Sequence, residues 1–163
     1  MRQLSEVPPD PAYAGITMCG GVKYTDKTGK EWAIYFPSPK AALPVLKRDG
    51  DVEWITWGKR KEDDDRFFAP GGWARIDSIK EGKWKRFHPR PVLLPVQSFM
   101  EKDHERKSHW FEVPPDHAIQ GLLAVHDDQA RVYVVTMDTP AEYHWVHDRW
   151  PRVVTLGDGD VPV

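Results

Sequence analysis

Cysteine is nearly absent: one in 163 residues, Cys19. That excludes an internal disulfide framework and fits a reducing compartment. Long apolar runs are absent too; none approaches the ~20 residues of a membrane helix. Residues 1–17 lack the basic-then-apolar order of a secretory signal, so the expected location is cytoplasmic, with no membrane partner. Charge of one sign is not in excess either. Lys and Arg number 23 against 25 Asp and Glu, a net of −2, which argues against a generally basic nucleic-acid binder while leaving room for a local patch. No internal repeat is visible, and no cofactor is expected. What the chain does hold is aromatic and turn-forming: 8 Trp, 5 Tyr, 6 Phe and 15 Pro. Its length suits one domain with one sizeable core.

The order of these residues predicts a β-rich α+β domain over 18–163, preceded by an extended arm over 1–17 that carries Pro8, Pro9 and Pro11. Glu31–Phe36 reads as a strand. Leu43–Lys47 and Val52–Trp57 flank Asp49-Gly50, a hairpin signal. Lys59–Arg66 is a charge run, and Ala69-Pro70-Gly71-Gly72 a loop. Pro91–Met100 predicts one buried strand with a bulge at Pro95. Trp110–Val113, Gly121–His126 and Arg131–Thr136 are further strands, the last two joined by a loop over 127–130. One helix is expected, capped by Thr139, opened by Pro140 and Glu142, and stopped by Pro151.

Several residues could carry chemistry. Cys19 lies in Met18-Cys19-Gly20-Gly21; a lone cysteine is commonly a small buried hydrophobe, but flanking glycines let a ligand approach the backbone closely. Glu101 ends the apolar run; it is either a solvated strand-end charge or a desolvated carboxylate suited to proton transfer. His147 is either a cation capping the expected helix or a functional imidazole. With His144 it could suggest a metal pair, but no further ligand stands at zinc spacing, so no metal is expected. The stretch over 80–90 interleaves cations with Trp84 and Phe87 and reads equally as a nucleic-acid patch or a solvated face.

Taken together, these phrases resemble the SOS response-associated peptidase (SRAP) family, whose members crosslink to abasic sites in single-stranded DNA. The similarity runs from Met18 to about Val154. The family's opening Met-Cys-Gly-Arg is matched by Met18-Cys19-Gly20, then Gly21. Its Ala-Pro turn and Pro-Val-Leu strand look like Ser38-Pro39 and Pro44-Val45-Leu46, and Trp57-Gly58 matches the start of its Trp-Gly phrase. Its Asn-Ala-Arg-x-Glu corresponds to Trp73-Ala74-Arg75-Ile76-Asp77, its Phe-Tyr-Glu strand to Phe99-Met100-Glu101, and its closing signature to Val135-Thr136 and His147-Asp148-Arg149-Trp150-Pro151. The fold expected is therefore a mixed, partly closed, barrel-like sheet with a few short flanking helices.

The resemblance implies that Cys19, once N-terminal, attacks the abasic aldehyde with its amine and closes a thiazolidine with its thiol, self-cleavage of the preceding bond being the route it suggests for exposing that amine. It implies proton transfer by Glu101 and His147, phosphate contacts by Arg75 and Arg149, and a DNA surface that also includes Gly20, Pro39, Trp57, Trp73 and Thr136. The chain departs from the family pattern at Trp73, where the family has asparagine, and at Gly21, where it has arginine. These departures, with the amine capped by residues 1–18, leave a second reading: a non-catalytic single-strand-binding module of the same fold. A third makes Cys19, His147 and Glu101 a thiol-hydrolase set.

Overall fold

The computed structural model describes residues 20–157, and nearly all regular structure among them is β. In chain order the strands are β1 Gly21–Thr25, β2 Glu31–Tyr35, β3 Ala42–Leu46, β4 Val52–Thr56, β5 Trp73–Arg75, β6 Arg90–Leu94, β7 Ser98–Lys102, β8 Ser108–Glu112, β9 His117–His126, β10 Gln129–Asp138, β11 Arg149–Pro151 and β12 Val153–Thr155. One short α-helix, α1 (Ile76–Lys80), follows β5, and single 3₁₀ turns lie at Lys85–Phe87 and Ala141–Tyr143. The result is a β-rich single domain with a curled half-barrel sheet and few short helices. Among the described residues no helix is long and apolar enough to cross a membrane.

An antiparallel sheet orders β2-β1-β7-β8, and β3 pairs with β4 as a separate hairpin. The third sheet is mixed. β9 and β10 form its long central hairpin; β6 and β12 add to β9, while β11 and the parallel β5 add to β10. Arg152 stitches the curl where β11 runs into β12, donating its N–H to Val135 and accepting one from Gln120. Because side chains alternate along a strand, β9 and β10 feed both faces. Ile119, Leu123, Val132 and Val134 join a core with Val22, Phe99 and Phe111. Leu122, Ala124, Tyr133 and Val135 join a second core under α1, with Phe68, Trp84 and Phe87.

Turn chemistry fixes the hairpins. Asp26 closes β1–β2: its Oδ1 accepts N–H bonds from Thr28 (2.9 Å) and Lys30 (3.0 Å). At β3–β4, Gly50 adopts φ +88° and donates its N–H to Lys47 O, a three-residue loop that needs a left-handed residue. β9 and β10 turn through Asp127 and Asp128 alone, so this loop is two residues rather than four.

Two sequence expectations fail. Pro91–Met100 is not one strand. Pro95 sits inside a tight turn closed by Val96 N–H to Leu94 O at 2.8 Å, and this sends β6 into the mixed sheet and β7 into the antiparallel one. The helix after Thr139 does not form either. Pro140 is extended (ψ 143°), no side chain caps the segment, and only one 3₁₀ turn follows. Tertiary packing wins over the capping signal: Val146 is wholly buried, Tyr143 stacks on Trp150 at 4.9 Å, and Trp150 is pulled into β11 beside Met137.

Candidate functional site

Cys19 lies outside the described residues, as does the expected arm over 1–17. Its covalent neighbour does not. Gly20 is buried and its carbonyl accepts the Phe36 N–H at 2.9 Å. β1 then runs between β2 and β7, and the pairing of Gly21 with Met100 sets Gly20 next to Glu101 along β7. Glu101 is 1 % exposed, although it sits near the strand end where a solvated charge was the alternative. It pairs across the ladder with His109. His109 is bound to Asp103 (2.7 Å), whose carboxyl is raised by burial but lowered further by His109 and by the N–H groups of Lys107 and Glu105, ending below its usual range. Lys102 is equally buried, and desolvation, helped by Arg106, pulls its ammonium down.

Gly21 stands where the SRAP pattern has arginine, and the fold explains it. A Cβ at this position would lie 3.0 Å from the Tyr35 ring. Tyr35 in turn packs edge-on to Trp110 (6.2 Å), over which Lys23 Nζ sits at 4.3 Å. A long side chain at position 21 has no room unless Tyr35 moves.

A second group gathers where β5, β10 and β11 meet. Parallel pairing sets Arg75 opposite Thr136, and β11 sets Pro151 opposite the same threonine. Arg149 reaches back over this point. Its Nη2 donates to Thr136 O (3.1 Å), its Nη1 to Asp138 (2.8 Å), and Nη2 also meets Asp77 (3.3 Å). Asp77, in the first turn of α1, accepts from Arg75 as well, at 3.1 Å. That Arg75 bond, with lesser help from Arg149, holds the Asp77 carboxyl below its usual range. His147 Nδ1 accepts the Arg149 N–H at 3.1 Å, so a neutral ring carries its proton on Nε2. Trp145, two residues earlier, packs edge-on to His109 at 5.1 Å, which ties the His147 segment to the strand pair bearing Glu101. Its position is fixed by packing and not by a helix end.

The two tryptophans expected at the DNA surface face inward. Trp57 is 0 % exposed and donates its indole N–H to Gly72 O at 2.9 Å. Trp73 is half-buried, edge-on to Phe36 (5.0 Å) and Trp57 (6.0 Å), and its Nε1 has no hydrogen-bond partner among the described residues. Phe36 packs against both rings, at 5.5 Å from Trp57 and 5.0 Å from Trp73. Pro39 itself is exposed on the rim of a cleft of about 440 Å³. The basic stretch over 80–90 divides: Trp84 and Phe87 go into the core while Lys80, Lys83 and Lys85 stay on the surface. His144 Nε2 is taken by Thr139 O at 2.7 Å, so the His144–His147 pair does not converge. Among the described residues no three His, Cys, Asp or Glu side chains gather around a common point.

Sequence reasoning missed Asp77 and Asp138 as partners of the two arginines, and Arg60 as a buried cation. Arg75-x-Asp77 was legible as a local pair; Asp138 and Arg149 come together only through β10–β11 pairing. Arg60 looked like one charge among many in 59–66, yet it donates to Ser38 O and Ala41 O, each at 3.0 Å. Compared with protein-family models and with curated protein sequences, the chain finds no match.

Proposed function

We propose that this chain is a diverged SRAP-type protein that captures abasic sites in single-stranded DNA through Cys19. The observation that carries the reading is the placement of Gly20, buried immediately before β1, whose Gly21 pairs with Met100, the neighbour of the buried Glu101. The ordered sequence phrases around Arg75, Thr136, His147 and Arg149 add support, since those residues meet at one place in the fold.

The chemistry needs the bond between Met18 and Cys19 hydrolysed, because an amide nitrogen cannot form an imine. The freed amine, with an ordinary pKa of about 7.7–8.0, adds to the sugar aldehyde and water leaves. The Cys19 thiolate then adds to the imine carbon and the nitrogen takes a proton, closing a thiazolidine. One C–N and one C–S bond form, one water is released, and nothing is oxidised. Glu101 moves protons between the amine and the sugar oxygens, and His147 donates from Nε2.

One observation favours a non-catalytic reading of the same fold. Arg75 and Arg149 already share Asp77, and Arg149 also holds Asp138, so a DNA phosphate would meet guanidinium groups whose charge carboxylates already balance. Intact-mass measurement and a denaturing gel separate the two. Protein made in cells with Cys19 as its first residue, forming a heat-stable adduct with an abasic single strand, supports the crosslinker. Adduct formation that survives Cys19→Ala overturns it.

A further inference from the structure

Three depressions join along the face where β2 meets the β3–β4 hairpin. The first, the cleft of about 440 Å³, is lined by Pro39, Lys40, Arg60 and Arg131 among others. Pro39 and Lys40 also wall a second, of about 300 Å³, that runs to Trp32 and Trp54. The same two indoles wall a third, of about 360 Å³, that ends at Lys27 and Lys47. Shared walls make these one track, basic at one end and aromatic in the middle.

The aromatic part is unusual in being exposed and yet held in place. Trp32 is 36 % and Trp54 40 % exposed, with ring centroids 5.1 Å apart. Trp32 donates its N–H to Asp26 at 3.3 Å, Lys30 Nζ lies 4.0 Å from its ring, and Tyr24 buttresses Trp54 edge-on at 5.7 Å. The basic end is built on Arg60, pinned by two carbonyls, its guanidinium pulled down chiefly by burial and further by the nearby charge of Arg131. Carboxylates are present but turned to internal partners. Asp63 accepts the Arg60 N–H, Asp26 accepts from Thr28 and Lys30, and Asp51 pairs with Lys27 at 2.8 Å. Glu62 is the exception and stays exposed. Lys40 and Arg131 have no ion pair among the described residues, and with Arg60 they set the sign of the basic end.

We infer that this track binds single-stranded DNA, with bases stacked on Trp54 and Trp32 and backbone phosphates against Lys40 and Arg131. Cations that follow a backbone beside aromatic faces that accept any base are the physical requirements of such binding. A neutral sugar would use the indoles and leave the cations idle. The inference extends the DNA reading to a second surface, and it needs neither Cys19 nor an abasic site.

The test uses the full chain and a fluorescein-labelled oligothymidylate with no abasic site, followed by anisotropy over a salt series. Trp54→Ala and Trp32→Ala are each expected to weaken binding about tenfold, the loss of one stacked base, while Trp54→Phe keeps most of it. Arg131→Ala is expected to lower the slope of log affinity against log salt by about 0.7, one phosphate contact on a single strand. Wild-type protein that ignores the oligonucleotide overturns the inference. So does unchanged affinity in both tryptophan variants, with folding checked by circular dichroism. If those variants bind normally while wild type still forms the abasic adduct, the track fails and the Cys19 chemistry stands. Tryptophan-dependent binding without any adduct gives the opposite result.

Discussion

Replacing Trp57 with phenylalanine tests whether this residue is a pillar of the fold or a DNA contact. Its indole is wholly buried, and its N–H bonds Gly72 O at 2.9 Å. Phenylalanine removes that donor while Gly72 O keeps the Val134 N–H at 2.9 Å, so the cost is that of one net hydrogen bond, about 0.5–1.5 kcal/mol. The smaller ring also leaves a gap between Phe36 and Trp73, worth about 1 kcal/mol where neighbours relax only in part. The site has little slack: a Cβ on Gly72 would already sit 2.7 Å from Trp57 Nε1 and 3.0 Å from Phe36. Together the loss is roughly 1.5–2.5 kcal/mol. With a urea slope of about 2 kcal/mol/M, the midpoint should fall by roughly 1 M at unchanged slope. Trp54→Phe, on an exposed ring, should stay within about 0.5 kcal/mol of wild type. A Trp57→Phe protein as stable as wild type but defective on single-stranded DNA would refute this assignment and return Trp57 to the binding surface.

Asp26 gives a pH test. Its carboxyl is pulled down to about 2, chiefly by the Thr28 side-chain hydrogen bond, then by Trp32 and by the N–H groups of Lys30 and Thr28. A carboxyl lower in the folded than in the unfolded chain, where it is about 3.9, stabilises the fold above that value and loses the contribution as pH falls toward 2. Melting curves from pH 6 to 2 should therefore show Asp26→Asn less stable than wild type at pH 6 and the two converging in acid; parallel curves would exclude this role. Asp77→Asn should release Arg75 and Arg149 toward phosphates, raising affinity for an undamaged single strand by up to about fivefold at 0.1 M salt, with the salt slope steeper by about 0.7. Unchanged affinity would mean that the two arginines do not reach the strand.

What was legible in the sequence followed local rules. Asp49-Gly50 marked a hairpin because only a left-handed residue closes that loop, and Gly50 takes φ +88°. Glu31–Phe36 marked a strand because its aromatic and β-branched residues suit a half-buried pleat. Reading failed where a distant partner decided. Pro95 can bulge a strand or end it, and the choice depends on two sheets competing for its flanks. Thr139-Pro140-x-Glu142 satisfies a helix start, yet Val146 and Trp150 gain more by burial than a short helix returns. At the candidate site, residue types were readable but their partners were not: nothing local to Arg149 points to Asp77, 72 positions away. The exposure of Trp32 and Trp54, against the burial of Trp57, Trp110 and Trp150, likewise follows from what packs over each residue: Trp110 and Trp150 are buried although β8 and β11 are edge strands.

Charge balance decides how the two surfaces divide the work if both bind DNA. Around Thr136, the guanidinium groups of Arg75 and Arg149 face the carboxylates of Asp77 and Asp138, so the local sum is zero. A phosphate entering there exchanges one anionic partner for another and gains little net attraction. The track past Lys40 and Arg131 has no such exchange to make, and its stacking faces do not depend on salt. Affinity for an undamaged strand should then come from the track and persist at ionic strengths that abolish the arginine contacts. Discrimination for a damaged sugar must come from elsewhere, because neither stacking nor phosphate contact distinguishes it from an intact one. That leaves the covalent step at Cys19 as the only part of the proposed scheme able to recognise an aldehyde.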